Sequence, residues 1–167
     1  MHDKNYGFSL VEIIVSLALF VLVIGLLAAN FSFLQRFLVC AEVDKLFNVC
    51  HYLQRCAVVT GNKKVLTFDA NKNQYAFEDK VCQLPRQVVF GVLQHVKGPP
   101  STPKKMIKSP ITFKGENVVF HSDGIIKSGT VYITDVDKNF LYAISCSVSQ
   151  ASYLRKYVYN GTWTLIS

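Results

Sequence analysis

Few residues in this chain have types that could do chemistry. Glu12 is the last charged residue before Arg36, and the 23 positions between them hold no Asp, Glu, Lys or Arg. A carboxylate beside such a stretch has two readings. It is an interfacial group favoured by the positive end of a helix, or it is a functional group in an apolar medium, where ionisable side chains are costly. Physics alone leaves both open. His121-Ser122-Asp123 contains the residue types of a nucleophilic triad. Adjacent side chains cannot converge as a triad requires, and Asp123-Gly124 reads as a turn. His2, His51, His95 and His121 lack metal-ligand spacing. No Gly-rich phosphate loop and no paired carboxylates stand out. No cofactor is expected, and the chain reads as the substrate of an enzyme, not as an enzyme.

The cysteines are Cys40, Cys50, Cys56, Cys82 and Cys146, without a C-x-x-C pair. Cys50 and Cys56 fall on different sides of a helix and should not bridge. Cys82 with Cys146 fits a disulfide if that region lies in an oxidising compartment. The preferred reading is that most are small buried hydrophobes. The net charge is +7. It suits either an anionic partner, such as DNA or anionic lipid, or simply a solvated basic surface. Lys97, Lys104, Lys105 and Lys108 lie in or beside a Pro-rich stretch, 97–110. Loops of that length are functional or disordered.

The elements that position these residues are legible from periodicity. From Ile13 to Ala29 the run is apolar except for Ser16. With its flanks it reaches about 20 residues, enough to cross a bilayer as a helix and too long for a secretory signal core. Val39, Val43, Leu46, Cys50, Leu53 and Ala57 then recur at helical spacing. Glu42, Asp44, Lys45, Asn48, His51, Gln54 and Arg55 lie off that stripe. No proline interrupts 8–60, and Gly61-Asn62 is a stop signal. A helix from Phe8 to Val59 would be roughly 78 Å long. Strand patterns follow. Val65–Phe68 and Gln74–Phe77 form an expected hairpin, and Leu84-Pro85 leads into Val88–Phe90. Asn117–Phe120 and Ile125-Ile126 bracket a turn. Thr130–Thr134 alternates, with Val131 and Ile133 on one face, and so do Tyr142, Ile144, Cys146 and Val148. Tyr153–Tyr159 and Thr162–Ile166 flank Asn160-Gly161.

Gly7-Phe8-Ser9-Leu10-x-Glu12 before a long uncharged apolar run resembles the type IV prepilin signature. That family comprises type IV pilins, type II secretion pseudopilins and competence pseudopilins. The resemblance implies cleavage by prepilin peptidase between Gly7 and Phe8, and N-methylation of Phe8. It also implies that Glu12 neutralises the Phe8 amino group of a neighbouring subunit. Such a pairing offsets two charges that would each be costly in hydrocarbon, and so favours one register of assembly. Val119-Phe120-x-x-Asp123-Gly124, Gly129-Thr130-Val131-x-Ile133 and Tyr142-x-Ile144 resemble the GspH/FimT-like minor pseudopilins and minor pilins. The Tyr-rich 153–159 and the long basic 97–110 depart from that pattern.

The expected fold is therefore α+β and pilin-like. It has a leader (1–7), a transmembrane and assembly helix (8–35) and a soluble domain (36–167). That domain continues the helix over 36–60 and carries an antiparallel sheet over 61–167. The resemblance implies a minor pseudopilin of a type II secretion pseudopilus, single-pass in the inner membrane, with its C-terminal domain in the periplasm. Its partners would be other pseudopilins or pilins, prepilin peptidase and an inner-membrane assembly platform. The alternative is a FimT-like or competence minor pilin that captures DNA through Lys97, Lys104, Lys105 and Lys108.

Overall fold

The computed structural model describes residues 9–29, 31–98, 105–146 and 153–166, with the side chains of 27–32 outside that description. The chain divides into two compact units, Met1–Leu34 and Gln35–Ser167. The first contains helix α1 (Leu10–Ala29), and the second is entered along helix α2 (Phe31–Thr60). The helix expected over Phe8–Val59 is thus present as α1 and α2. Phe8 and Asn30 lie outside the described residues.

α2 ends at Thr60, followed by Gly61 in the left-handed region at φ 67°. That conformation costs glycine least, so the expected stop signal is the one used. The six-residue stripe predicted for α2 is its buried face: Val39, Val43, Leu46, Leu53 and Ala57 are 0% exposed and Cys50 is 2%.

Two antiparallel sheets face this stripe, where the sequence pattern led us to expect one. The first has the order β3-β2-β1-β5, formed by β1 (Lys64–Asp69), β2 (Gln74–Phe77), β3 (Lys80–Gln83) and β5 (Asn117–Phe120). The second has the order β4-β6-β7-β8-β9, formed by β4 (Val88–Phe90), β6 (Gly129–Asp135), β7 (Leu141–Cys146), β8 (Leu154–Tyr159) and β9 (Trp163–Leu165). One core joins the α2 stripe to Leu66, Phe68 and Tyr75 of the first sheet and to Val131, Ile133 and Ile144 of the second. α2 therefore holds two sheets that share few direct strand contacts, which accounts for the length of its apolar stripe.

The alternation read in β6 and over Tyr142, Ile144 and Cys146 of β7 is correct, with Val148 outside the described residues, but both faces of the second sheet are covered. The side away from α2 carries Tyr132, Leu141, Ala143 and Tyr157, buried under Val92, Leu93, Val96 and Ile107. The segment between β4 and β5 is thus partly a lid on the sheet. Residues 110–112 also extend the sheet beside β6: Tyr132 N donates to Pro110 O at 2.8 Å and Thr112 N to Thr130 O at 2.9 Å. At Gly129 the ring of Phe113 occupies the space a Cβ would take, so the Gly-Thr step at the start of β6 is set by close packing.

The β6–β7 turn is closed by Asp135, only 1% exposed. Its carboxylate accepts from Asn139 N and Phe140 N, both at 2.8 Å, and from Asn139 Nδ2 at 3.1 Å. A buried carboxylate needs this degree of hydrogen bonding to offset its desolvation. Nothing in the local pattern had singled it out.

Candidate functional site

Gly7 and Phe8, the expected cleavage and methylation positions, lie outside the described residues. Glu12 is in the first turn of α1. Its N–H donates to Ser9 O at 3.0 Å, and Ser16 Oγ donates to Glu12 O at 2.7 Å. The Ser16 bond satisfies the single polar side chain of the apolar run within its own helix, as expected where water is scarce. The Glu12 side chain is exposed, near the end of the helix whose partial positive charge favours an anion.

Beyond Glu12, α1 has no polar face. Ile13, Ile14, Val15 and Leu17, which point in different directions around the axis, are 54%, 59%, 52% and 64% exposed. A helix apolar on all sides requires an apolar surrounding, from lipid or from other helices. Among the described residues no helix is long and apolar enough to cross a membrane, and the side chains of α1 are described only through Leu26.

In the second unit, His121-Ser122-Asp123 forms the expected turn. Gly124 N donates to His121 O at 3.0 Å and Ile125 N to Asp123 Oδ1 at 3.0 Å. Gly124 has φ 80°, and its carbonyl accepts from Gln54 Nε2 of α2 at 2.9 Å. The Asp123 carboxylate is thus spent on closing the turn. Among the described residues no cluster of three or more His, Cys, Asp or Glu could hold a metal ion.

The five cysteines are thiols. Cys82 lies on β3 and Cys146 on β7, in different sheets, and no disulfide joins them. Cys50 and Cys146 are buried core residues, whereas Cys40, Cys56 and Cys82 are half-buried, so the preferred reading holds for two of the five and not for most. Burial pushes the Cys50 thiol up to about 12, with a smaller contribution from nearby Cys146. His51, on the flank of α2, is pushed down by partial burial and then by Arg55.

Of the four lysines proposed to meet an anion, Lys104 lies outside the described residues. Lys97 and Lys105 lie on the two arms of a short antiparallel stalk, with Lys108 just beyond it. Lys97 pairs with Met106, Gly98 N donates to Lys105 O at 2.9 Å, and Ile107 N donates to Val96 O at 3.3 Å. Trp163 Nε1 of β9 donates to Lys97 O at 2.8 Å, pinning the stalk to the second sheet. The described ends of the expected loop are therefore anchored. A cleft of about 760 Å³ opens between the stalk and the start of β6. Lys105, Lys108, Ser128 and Ser145 line it, with Met106, Ile107 and Cys146. Sequence reasoning had the lysines but not the serines, which are far from them in the chain.

The prokaryotic N-terminal methylation motif matches residues 2–28. No curated protein sequence matches the chain. Among solved structures, the minor pseudopilin EpsH from the type 2 secretion system of Vibrio cholerae is similar. It is 13% identical and covers 70% of this chain and 94% of its own, with a TM-score of 0.49. Residues 2–28 span the uncharged helix, Glu12 and the Gly7-Phe8 step. The chain thus carries the N-terminal methylation motif of type IV prepilin-like proteins.

Proposed function

We propose that this chain is a minor pseudopilin, a structural subunit of a type II secretion pseudopilus. The observation that carries the reading is α1. It is a helix apolar on every side, opened by one carboxylate, inside a matched methylation motif. In this reading prepilin peptidase cuts between Gly7 and Phe8 and methylates the new amino group on Phe8. The helix is held in the inner membrane, with the domain that follows in the periplasm. The assembly platform then draws it into a filament of similar subunits, where Glu12 meets the Phe8 amino group of a neighbour. The surround that α1 needs is supplied first by lipid and then by neighbouring helices. Pairing two charges there avoids the penalty either would incur alone. The role is structural, not catalytic.

Replacing Gly7 by a bulky residue tests the first step. Co-expressed with the peptidase, the wild-type chain should shift on a gel to a form about seven residues shorter, as the motif spacing requires, and Gly7→Leu should not. Identical mobility of the two would sink the reading.

A further inference from the structure

The cleft between the 96–107 stalk and β6 has an unusual balance of charge. Among the described residues that line it are Lys105 and Lys108, and no Asp or Glu. Among the described residues neither lysine forms an ion pair, although Lys45, Lys64, Lys72 and Lys156 each do. Two ammonium groups on one wall of a concavity raise the local concentration of anions. The lining hydroxyls sort by whether they are spent. Thr112 Oγ1 accepts from Thr130 N at 2.7 Å, and Ser109 Oγ donates to Ile111 O at 2.9 Å. Ser145 and Thr130 are buried, 4% and 6% exposed, and bond to each other, with Thr130 Oγ1 donating to Ser145 Oγ at 3.0 Å. Ser128 is exposed on the rim.

Met106 and Ile107 add apolar surface to the lining. The aromatic side chain lining the cleft is Tyr132, which is only 3% exposed and offers no open face on which a nucleobase could stack. Carboxylates on short aliphatic stems match both the charge and the apolar part of the lining. We infer that this cleft binds an acidic peptide segment, rich in Asp or Glu, of a partner protein. Trp163 acts as the latch that keeps the lysine-bearing stalk in place, through its bond to Lys97 O.

The test uses the full chain in non-ionic detergent at low salt, with a fluorescent hexaglutamate peptide as the probe and hexaglutamine and oligo-dT as comparisons. Hexaglutamate should bind saturably and hexaglutamine should not. K105A/K108A should weaken binding by about ten-fold or more, the scale of losing two charge-assisted contacts. K63A/K80A removes the same net charge from exposed lysines elsewhere and should change it by less than about two-fold. No hexaglutamate binding, or equal loss in both double variants, overturns the inference. Binding of oligo-dT without hexaglutamate overturns it too, and identifies nucleic acid as the anion. Peptide binding and Gly7 processing are separate readouts, so this inference and the assembly reading can fail independently.

Discussion

Lys156 of β8 forms an ion pair with Asp44 of α2, and its ammonium also lies 5.5 Å from the centre of the Phe47 ring. Lys156 is an inward-facing position of the strand, in line with Leu154 and Val158 of the core. Its stem passes along the edge of the helix while its head reaches the partly exposed carboxylate. The contact ties β8 to the helix about which both sheets are arranged.

Asp44→Ala should therefore cost little, about 1 kcal/mol or less, since a pair with one exposed partner is heavily screened. Lys156→Ala should cost more, because the aliphatic stem and the contact over Phe47 go as well, the latter worth about 0.5–1 kcal/mol. Urea unfolding in detergent, followed by the fluorescence of Trp163, the single tryptophan, measures both. Equal losses would show that the charge pair alone matters.

Glu12→Ala should leave leader removal intact and impair assembly. The carboxylate is exposed in the first turn, away from the expected cut, and its proposed partner is on another subunit. Cross-linking between subunits in membranes is the measurement. An undiminished yield would remove the pairing role while leaving cleavage untouched.

Cys50 should resist alkylation at pH 8 in the folded protein, because burial holds its thiol at about 12 and shields it from the reagent. The half-buried Cys56 and Cys82 should react first, and urea should expose Cys50. Peptide mapping after iodoacetamide treatment separates them. Labelling of Cys50 as fast as Cys56 would mean that the helix stripe is not packed as described.

His51 should make stability fall on mild acidification. Its folded pKa lies below the ordinary value, so the unfolded chain takes up the proton more readily. Its contribution is complete above the unfolded value near 6.5 and declines as pH falls from there towards the folded value. His51→Gln should flatten that part of the stability profile. An unchanged slope between pH 7 and pH 5.5, in about the range where histidine titrates, would assign the effect elsewhere.

Asp135→Ala should destabilise by about 1–3 kcal/mol, the usual penalty for leaving buried donors unmet. The bonds from Asn139 N and Phe140 N would both be lost. Asp135→Asn should fall between the two, since one oxygen remains to accept. Thermal unfolding in detergent checks the order, and a stable Ala variant would show that the turn closes without the carboxylate.

The sequence by itself determined what is written in local periodicity or linear order. The Gly7-Phe8-Glu12 spacing is a motif read along the chain, so it was legible without coordinates. Val39 to Ala57 identified the buried face of α2 because a packed helix must repeat every 3.6 residues. Asn160-Gly161 marked the turn between β8 and β9, since that dipeptide tolerates the backbone a tight turn requires.

Only the tertiary structure decided which strands pair beyond the two local hairpins, β1 with β2 and β8 with β9. β3 went unread because Lys80–Gln83 is short, largely exposed and polar at both ends. Alternation in β6 separated Val131 and Ile133 from Thr130, Tyr132 and Thr134, but could not say that Val92, Leu93, Val96 and Ile107 return to cover the second face. Strand period assigns a side chain to a face, whereas burial of that face depends on chain far away. For the same reason the lysines at 105 and 108 were visible in sequence as charge, while their meeting with Ser128 and Ser145 over one cleft was not.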